Sequence, residues 1–407
     1  MSIYITLTIL ICLSAGFAYV NQRFLQLPFV IGLFVLSTVL SLIVISSRLW
    51  LNLPTDEIKN YIELANIDKI VLNYLLGFLL FAGALHTDWG NLKQQIRPIA
   101  TFALGGVLAS TVLIAIFFWA IARLFQIQID FTYCLIFGAL ISPTDPIAVM
   151  GILTKANVPK RTEYTIVGES LFNDGVGVVV FIALLDTLAG GEFSVAHFGL
   201  LFVKEAIGGI VMGLIFGYFL HVLLKTIDHY ETEILLTLAF VMAGYSLCNS
   251  IHISGALAMV VMGLMVGNFR KEQAMSDTTQ EYVHKFWELV DVILNAVLFI
   301  LIAFVLIVIE FKATYIWIGL LSVFMVIFSR FIVVFLPHLT FPKLLKLSNK
   351  EAQIISWGGL RGGLSLALVL SLPNSETKNL LLITTYFCVL FSIVIQGLTI
   401  EKLAKRS

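Results

Sequence analysis

Apolar residues run through this chain in long stretches separated by short polar connections. A helix needs about 20 mostly apolar residues to cross a bilayer. By that measure the pattern predicts thirteen spans: 2–20, 28–47, 69–86, 98–122, 131–153, 165–187, 198–224, 232–250, 254–269, 285–309, 314–336, 352–372 and 379–400. The ninth is short, and the fifth and twelfth are interrupted by polar residues around Asp145 and Arg361. Residues 1–22 hold no Lys or Arg and no small-residue cleavage site follows, so the first run is expected to stay as a span. The longest connections, near 49–68 and 270–284, are too short to hold a core. The expected fold class is an all-α polytopic membrane protein. Residues 1–407 are expected to form one transmembrane domain without a cytosolic regulatory domain.

Composition agrees. The chain is 59% hydrophobic and 12% charged, whereas a soluble chain is about 25% charged. Its net charge is zero, which gives no electrostatic case for nucleic acid. Cys12, Cys134, Cys248 and Cys388 lie far apart in apolar runs and read as small core residues, neither disulfides nor metal ligands. With the N-terminus outside, sixteen Lys and Arg fall in inside loops and the tail, and six fall outside. The remaining three, Lys204, Arg330 and Arg361, lie within spans. That bias predicts N-terminus out and C-terminus in.

The two interruptions are related. Residues 131–153 carry Pro143 and Pro146 around Thr144-Asp145, and 352–372 carry Trp357-Gly358-Gly359-Leu360-Arg361-Gly362-Gly363. Proline removes a backbone donor and glycine loosens the helix. Unwound backbone survives at membrane depth only where protein or water satisfies it. The breaks lie seven spans apart, an odd offset that inverts one unit against the other. Repeats over about 2–187 and 232–400, joined by a linker helix at 198–224, are therefore expected. Paired broken helices in inverted repeats mark a secondary transporter, with its site where they meet.

The chemistry sits beside the first break. Glu169-Ser170-Leu171-Phe172-Asn173-Asp174 falls inside an apolar run. On a helix, Ser170 and Asp174 share one face and Glu169 and Asn173 share the next. Gly175 and Gly177 admit another backbone closely, and the Asp145 segment is the expected neighbour. Asp174, Asp145, the Ser170 hydroxyl and a freed carbonyl at Thr144 would supply the oxygens a monovalent cation needs. Hydrocarbon and a second carboxylate both work against a bare negative charge, so the site holds either a proton or a cation. That competition couples two fluxes if the site alternates between the two sides.

Arg330 lies deep in the eleventh span and needs a carboxylate. Glu169 is the expected partner, with Asn173 bridging, as a supporting network. Arg361 is expected to neutralise helix ends in its glycine-rich break, with Glu288 or Asp291 as partner. Lys204 and Glu205 are expected to snorkel or pair, the seven histidines decorate span ends, and the glycines at 208, 209, 213 and 217 read as helix packing within or between protomers.

Thr144-Asp145-Pro146, followed by Gly168-Glu169-Ser170-Leu171-Phe172-Asn173-Asp174-Gly175, resembles the NhaP-type sodium/proton antiporters. These belong to the monovalent cation:proton antiporter-1 family, relatives of the sodium/hydrogen exchangers. Phe328-Ser329-Arg330 and Gly358-Gly359-Leu360-Arg361-Gly362 resemble two further motifs of that family. The resemblance implies a homodimer in a prokaryotic plasma membrane, serving pH homeostasis. Each protomer would have a dimerisation part and a mobile six-helix core working as an elevator. It implies exchange of Na⁺, with Li⁺, for H⁺, and the Asn-Asp pair implies an electroneutral one-for-one ratio. Asp174 would be the shared carboxylate, with Asp145, Ser170 and the Thr144 carbonyl completing the ion shell. Glu169, Asn173, Arg330 and Arg361 would support it. No cofactor is expected beyond the transported ions, and no enzymatic activity. K⁺/H⁺ exchange is the alternative. A cation channel and an intramembrane aspartyl protease are more distant, the latter because Asn173-Asp174 replaces the Gly-X-Gly-Asp motif of those enzymes.

Overall fold

The computed structural model describes residues 3–51, 62, 66–145, 158–190, 195–268 and 275–405, and among them it is helical without strands. Among the described residues, ten helices are long and apolar enough to cross a bilayer, and an eleventh is a bent pair. In chain order the elements are α1 (Ile5–Leu25), α2 (Phe29–Ser47), α3 (Ile67–Leu85), α4 (Ile96–Leu124), α5 (Phe131–Ile141), α6 (Lys160–Leu188) and α7 (Val195–Leu224). They continue with α8 (Tyr230–Ser250), α9 (Gly255–Gly267), α10 (Asp277–Val308), α11 (Ala313–Thr340), α12 (Asn349–Gly358 and Gly363–Leu370) and α13 (Glu376–Lys405). Each occupies one of the apolar segments expected from the sequence. α5 and α9 are too short to cross alone.

The ends follow local chemistry. Asp130 caps α5 through the Thr132 N–H at 2.7 Å, and Ser254 caps α9 through the Leu257 N–H at 3.2 Å. Ser348 and Glu351 form a reciprocal capping box at the start of α12. Inside the bundle, hydroxyls fold back onto their own helices, as Ser37 does onto the Leu33 carbonyl at 2.8 Å. This leaves few polar groups facing hydrocarbon.

The glycine run of α7 packs within the chain, against α9. A Cβ on Gly213 would stand 2.6 Å from the Ala258 carbonyl oxygen. The thiols divide: Cys134, Cys248 and Cys388 are buried, but Cys12 is exposed on the outer face of α1 and is not a core residue.

Both interruptions are real. α5 stops at Ile141, and Pro143 to Asp145 are non-helical. The remainder of the expected fifth span, from Pro146, lies outside the described residues, as do five of the basic residues counted for orientation, Lys59, Lys155, Arg270, Lys271 and Arg406. α12 breaks between Gly358 and Gly363 and bends by 44° there.

Candidate functional site

The two breaks meet. The Asp145 N–H donates to the Leu360 carbonyl at 2.7 Å, joining the end of α5 to the gap in α12. The Arg361 N–H donates to Ser392 Oγ at 2.7 Å, and Ser392 Oγ in turn donates to Gln396 Oε1 at 2.7 Å. Ser392 and Gln396 bound a π-helical turn in α13, and Gln396 Nε2 reaches the Trp357 carbonyl at 3.2 Å. Side chains of α13 thus replace hydrogen bonds that α12 gave up.

Arg361 is buried at the crossing. Its guanidinium donates to the carbonyls of Ser142 and Pro143, two acceptors freed where α5 ends. The helix-end role expected for it therefore stands, but its partners are these carbonyls and not Glu288 or Asp291. A carbonyl pair was invisible in the sequence because it depends on which break crosses which.

α6 packs against this crossing. Gly177 lets the Pro143 ring approach without a side chain between, whereas Gly175 faces Leu257 of α9. Thr144 is pinned to α6 three times. Its hydroxyl lies 2.9 Å from Ser170 Oγ, it accepts from Asn173 Nδ2 at 2.8 Å, and its N–H donates to Asn173 Oδ1 at 3.1 Å. The Asn173 amide is thus paired with Thr144 and does not bridge Arg330 to Glu169 as the sequence suggested. An amide carries no charge that demands a particular partner, so proximity in the fold decides it.

Arg330 and Glu169 pair directly. The guanidinium donates to both carboxylate oxygens, at 2.5 and 2.9 Å, and to the Ile355 carbonyl at 3.2 Å. Glu169 is 1% exposed and Arg330 5%, so the pair is sealed from solvent. Gly359 makes room for it: a Cβ there would lie 2.6 Å from Arg330 Nε.

Asp145 and Asp174 line one cavity of about 90 Å³. Thr144 and Ser365 supply further polar atoms, and the rest of the lining is almost wholly apolar. Gly362 closes one side so tightly that a Cβ would stand 2.5 Å from Asp145 Oδ2. All eight residues singled out from the sequence gather around this crossing, although Ser170 reaches it through the Thr144 hydroxyl. Two polar lining residues were missed, Ser365 in the second half of α12 and, on α10, Asn295. Its only signal was a lone amide in the apolar run from Val292 to Val308.

Comparison with known proteins decides the lineage. Residues 8–406 match the sodium/hydrogen exchanger transmembrane family. The chain belongs to that family. As a member of the sodium/hydrogen exchangers it is a transporter embedded in a membrane by many spans. It is 44% identical to the Na⁺/H⁺ antiporter NhaP of Pseudomonas aeruginosa, over 97% of this chain and 95% of that one. It is 32% identical to the Na⁺/H⁺ antiporter NhaH of Halobacillus dabanensis, over 86% of each. The exchanger fold also matches the solved structure of the sodium proton antiporter MjNhaP1 from Methanocaldococcus jannaschii. That match has a TM-score of 0.77 and 20% identity, and it covers 98% of this chain and 97% of that one.

Proposed function

We propose that this chain exchanges Na⁺, and Li⁺ with it, for H⁺ by alternating access, with both ions competing for Asp174. The observation that carries the reading is the shared cavity: two carboxylates face one small space at membrane depth, where two interrupted helices cross. Arg330 is spent on Glu169, and Arg361 reaches the Ser142 and Pro143 carbonyls. A pair of charges in such a place needs a counter-ion or a proton. The names of relatives such as the Pseudomonas NhaP support Na⁺ as the cation.

In this reading Asp174 binds the cation, and Asp145, the Thr144 carbonyl and Ser170 complete its oxygens. Thr144 is fixed to Ser170 and Asn173, so a shift of α6 carries the Asp145 segment with it. The Glu169–Arg330 pair and Arg361 hold the crossing rigid and do not contact the ion. One Na⁺ or its equivalent in protons neutralises the site to the same degree, which favours electroneutral one-for-one exchange. Inverted repeats around the crossing, a homodimer, and an outside N-terminus with a cytoplasmic C-terminus complete the proposal.

The test is exchange in proteoliposomes, with Na⁺, Li⁺ and K⁺ each presented against an imposed pH gradient, with and without a voltage clamp. Na⁺ and Li⁺ are expected to move protons at rates independent of voltage. Exchange driven by K⁺ alone would replace the Na⁺ reading with K⁺/H⁺ antiport. Cation current without a pH gradient would replace the carrier with a channel.

A further inference from the structure

The cavity has two unlike walls. One is the crossing itself, with Thr144, Asp145, Asp174 and Ser365. The other comes from α3 and α10: Val71, Leu76, Leu79 and Leu80, then Asn295 and Leu298. Asn295 is the sole polar side chain of that second wall among the described residues.

Its amide is set in one orientation. Asn295 Nδ2 donates to the Asp291 carbonyl at 2.9 Å and to Asp291 Oδ1 at 3.0 Å. Both partners are acceptors, so the nitrogen must face them and the opposite orientation would set oxygen against oxygen. Asn295 Oδ1 is the end left over. It is buried and has no hydrogen-bond partner among the described residues, in a side chain only 2% exposed. A buried amide oxygen without a donor costs about 1–3 kcal/mol. Asp291 also lies within electrostatic range of Asp145, so the held amide and the carboxylate belong to one electrostatic neighbourhood.

We propose that Asn295 Oδ1 is a neutral ligand for the transported cation, supplied from α10 to the cavity that Asp145 and Asp174 also line, and aimed by Asp291. A protonated carboxylate satisfies its single O–H with one nearby acceptor, whereas a monovalent cation gathers oxygens from all sides. The amide therefore favours the cation over the proton and adds no charge to the site. This inference rests on the reading of Asp174 as the ion site and adds a specificity-determining residue to it.

The test uses purified full-length protein. Asn295→Leu keeps the shape and removes the oxygen, and Asn295→Ala serves if the leucine variant does not fold. Two readouts apply: KM for Na⁺ and for Li⁺ in proteoliposomes at fixed pH, and the rise in melting temperature when NaCl replaces choline chloride. Loss of one ion–dipole contact is expected to raise KM for Na⁺ about tenfold with little change in maximum rate. The Na⁺-dependent thermal shift should shrink with it, and the melting temperature in choline should fall little. An unchanged KM and thermal shift, or a melt lowered equally with and without Na⁺, would overturn the proposal. Asp174→Asn in parallel separates the failures: if it keeps the Na⁺-dependent shift, the ion site itself is misplaced. If it loses the shift while Asn295→Leu keeps it, only the role of Asn295 falls.

Discussion

The Asp145 N–H and the Leu360 carbonyl, 2.7 Å apart, each close a gap in the other's helix. Arg361 adds a second tie by reaching the Ser142 and Pro143 carbonyls. Two interruptions that would each be costly alone satisfy one another, and the aspartate is held by its backbone with its side chain turned to the cavity. The first prediction follows from how tightly that side chain is packed. Gly362→Ala would place a methyl 2.5 Å from Asp145 Oδ2. The carboxylate must shift, at a strain of about 1–3 kcal/mol. KM for Na⁺ is expected to rise severalfold with the protein still folded, as read by initial rates of exchange. An unchanged KM would mean that the position of Asp145 does not matter to the ion.

Asp174→Asn keeps the shape and removes the charge. Exchange is expected to vanish while the protein elutes and melts as a folded particle, because no ion pair among the described residues depends on Asp174. Proteoliposome flux and size-exclusion profiles check the two halves separately. Robust Na⁺-driven proton movement in this variant would remove Asp174 from the mechanism.

Glu169 and Arg330 should behave differently. Removing one partner of a buried pair strands the other charge, at about 3–5 kcal/mol. Glu169→Ala and Arg330→Ala are therefore expected to lower yield and thermal stability first. Glu169→Gln should be milder, since an amide oxygen still accepts from the guanidinium. Wild-type melting curves together with lost transport would move the pair from scaffold to ion contact.

Competition also sets a pH dependence. If Na⁺ and H⁺ exclude each other at the aspartates, protonation removes binding sites for Na⁺. On the acidic side KM for Na⁺ should rise by up to about tenfold for each unit the pH falls, with a constant maximum rate at saturating Na⁺. Titrating initial rates against Na⁺ at several pH values reads this directly. A KM that ignores pH while the maximum rate falls would point to separate sites.

The sequence showed those parts of the site that physics forbids elsewhere. Prolines around Asp145 and glycines around Arg361 had to mark breaks, and a charge as deep as Arg330 had to find a carboxylate, which it did in Glu169. Neutral polar groups were less legible. Asn173 carries no charge to declare a partner, and only the fold shows that it grips Thr144 from two sides. Arg361 found carbonyls, which no side-chain pattern encodes. Asn295 stood out only as one amide among aliphatic neighbours, a signal too common in membrane helices to read without the cavity it faces. Span positions came through because hydrocarbon thickness fixes them. The repacking of α7 onto α9 did not, because a glycine stripe names a close contact but not the helix it meets.

The leucine and valine side chains of α3 that line the cavity together with Asp145 and Asp174 bear on how faithfully two fluxes are tied. They offer an unfilled site nothing to solvate it. A carrier holding neither passenger would have to drag bare negative charge along an oily surface, at a cost of several kcal/mol. A loaded one, neutralised by either ion, meets a far lower hurdle. On the proposed mechanism the hydrocarbon wall would act as a gasket against slippage: a return journey without cargo would be suppressed, and exchange would be obligatory without any dedicated lock.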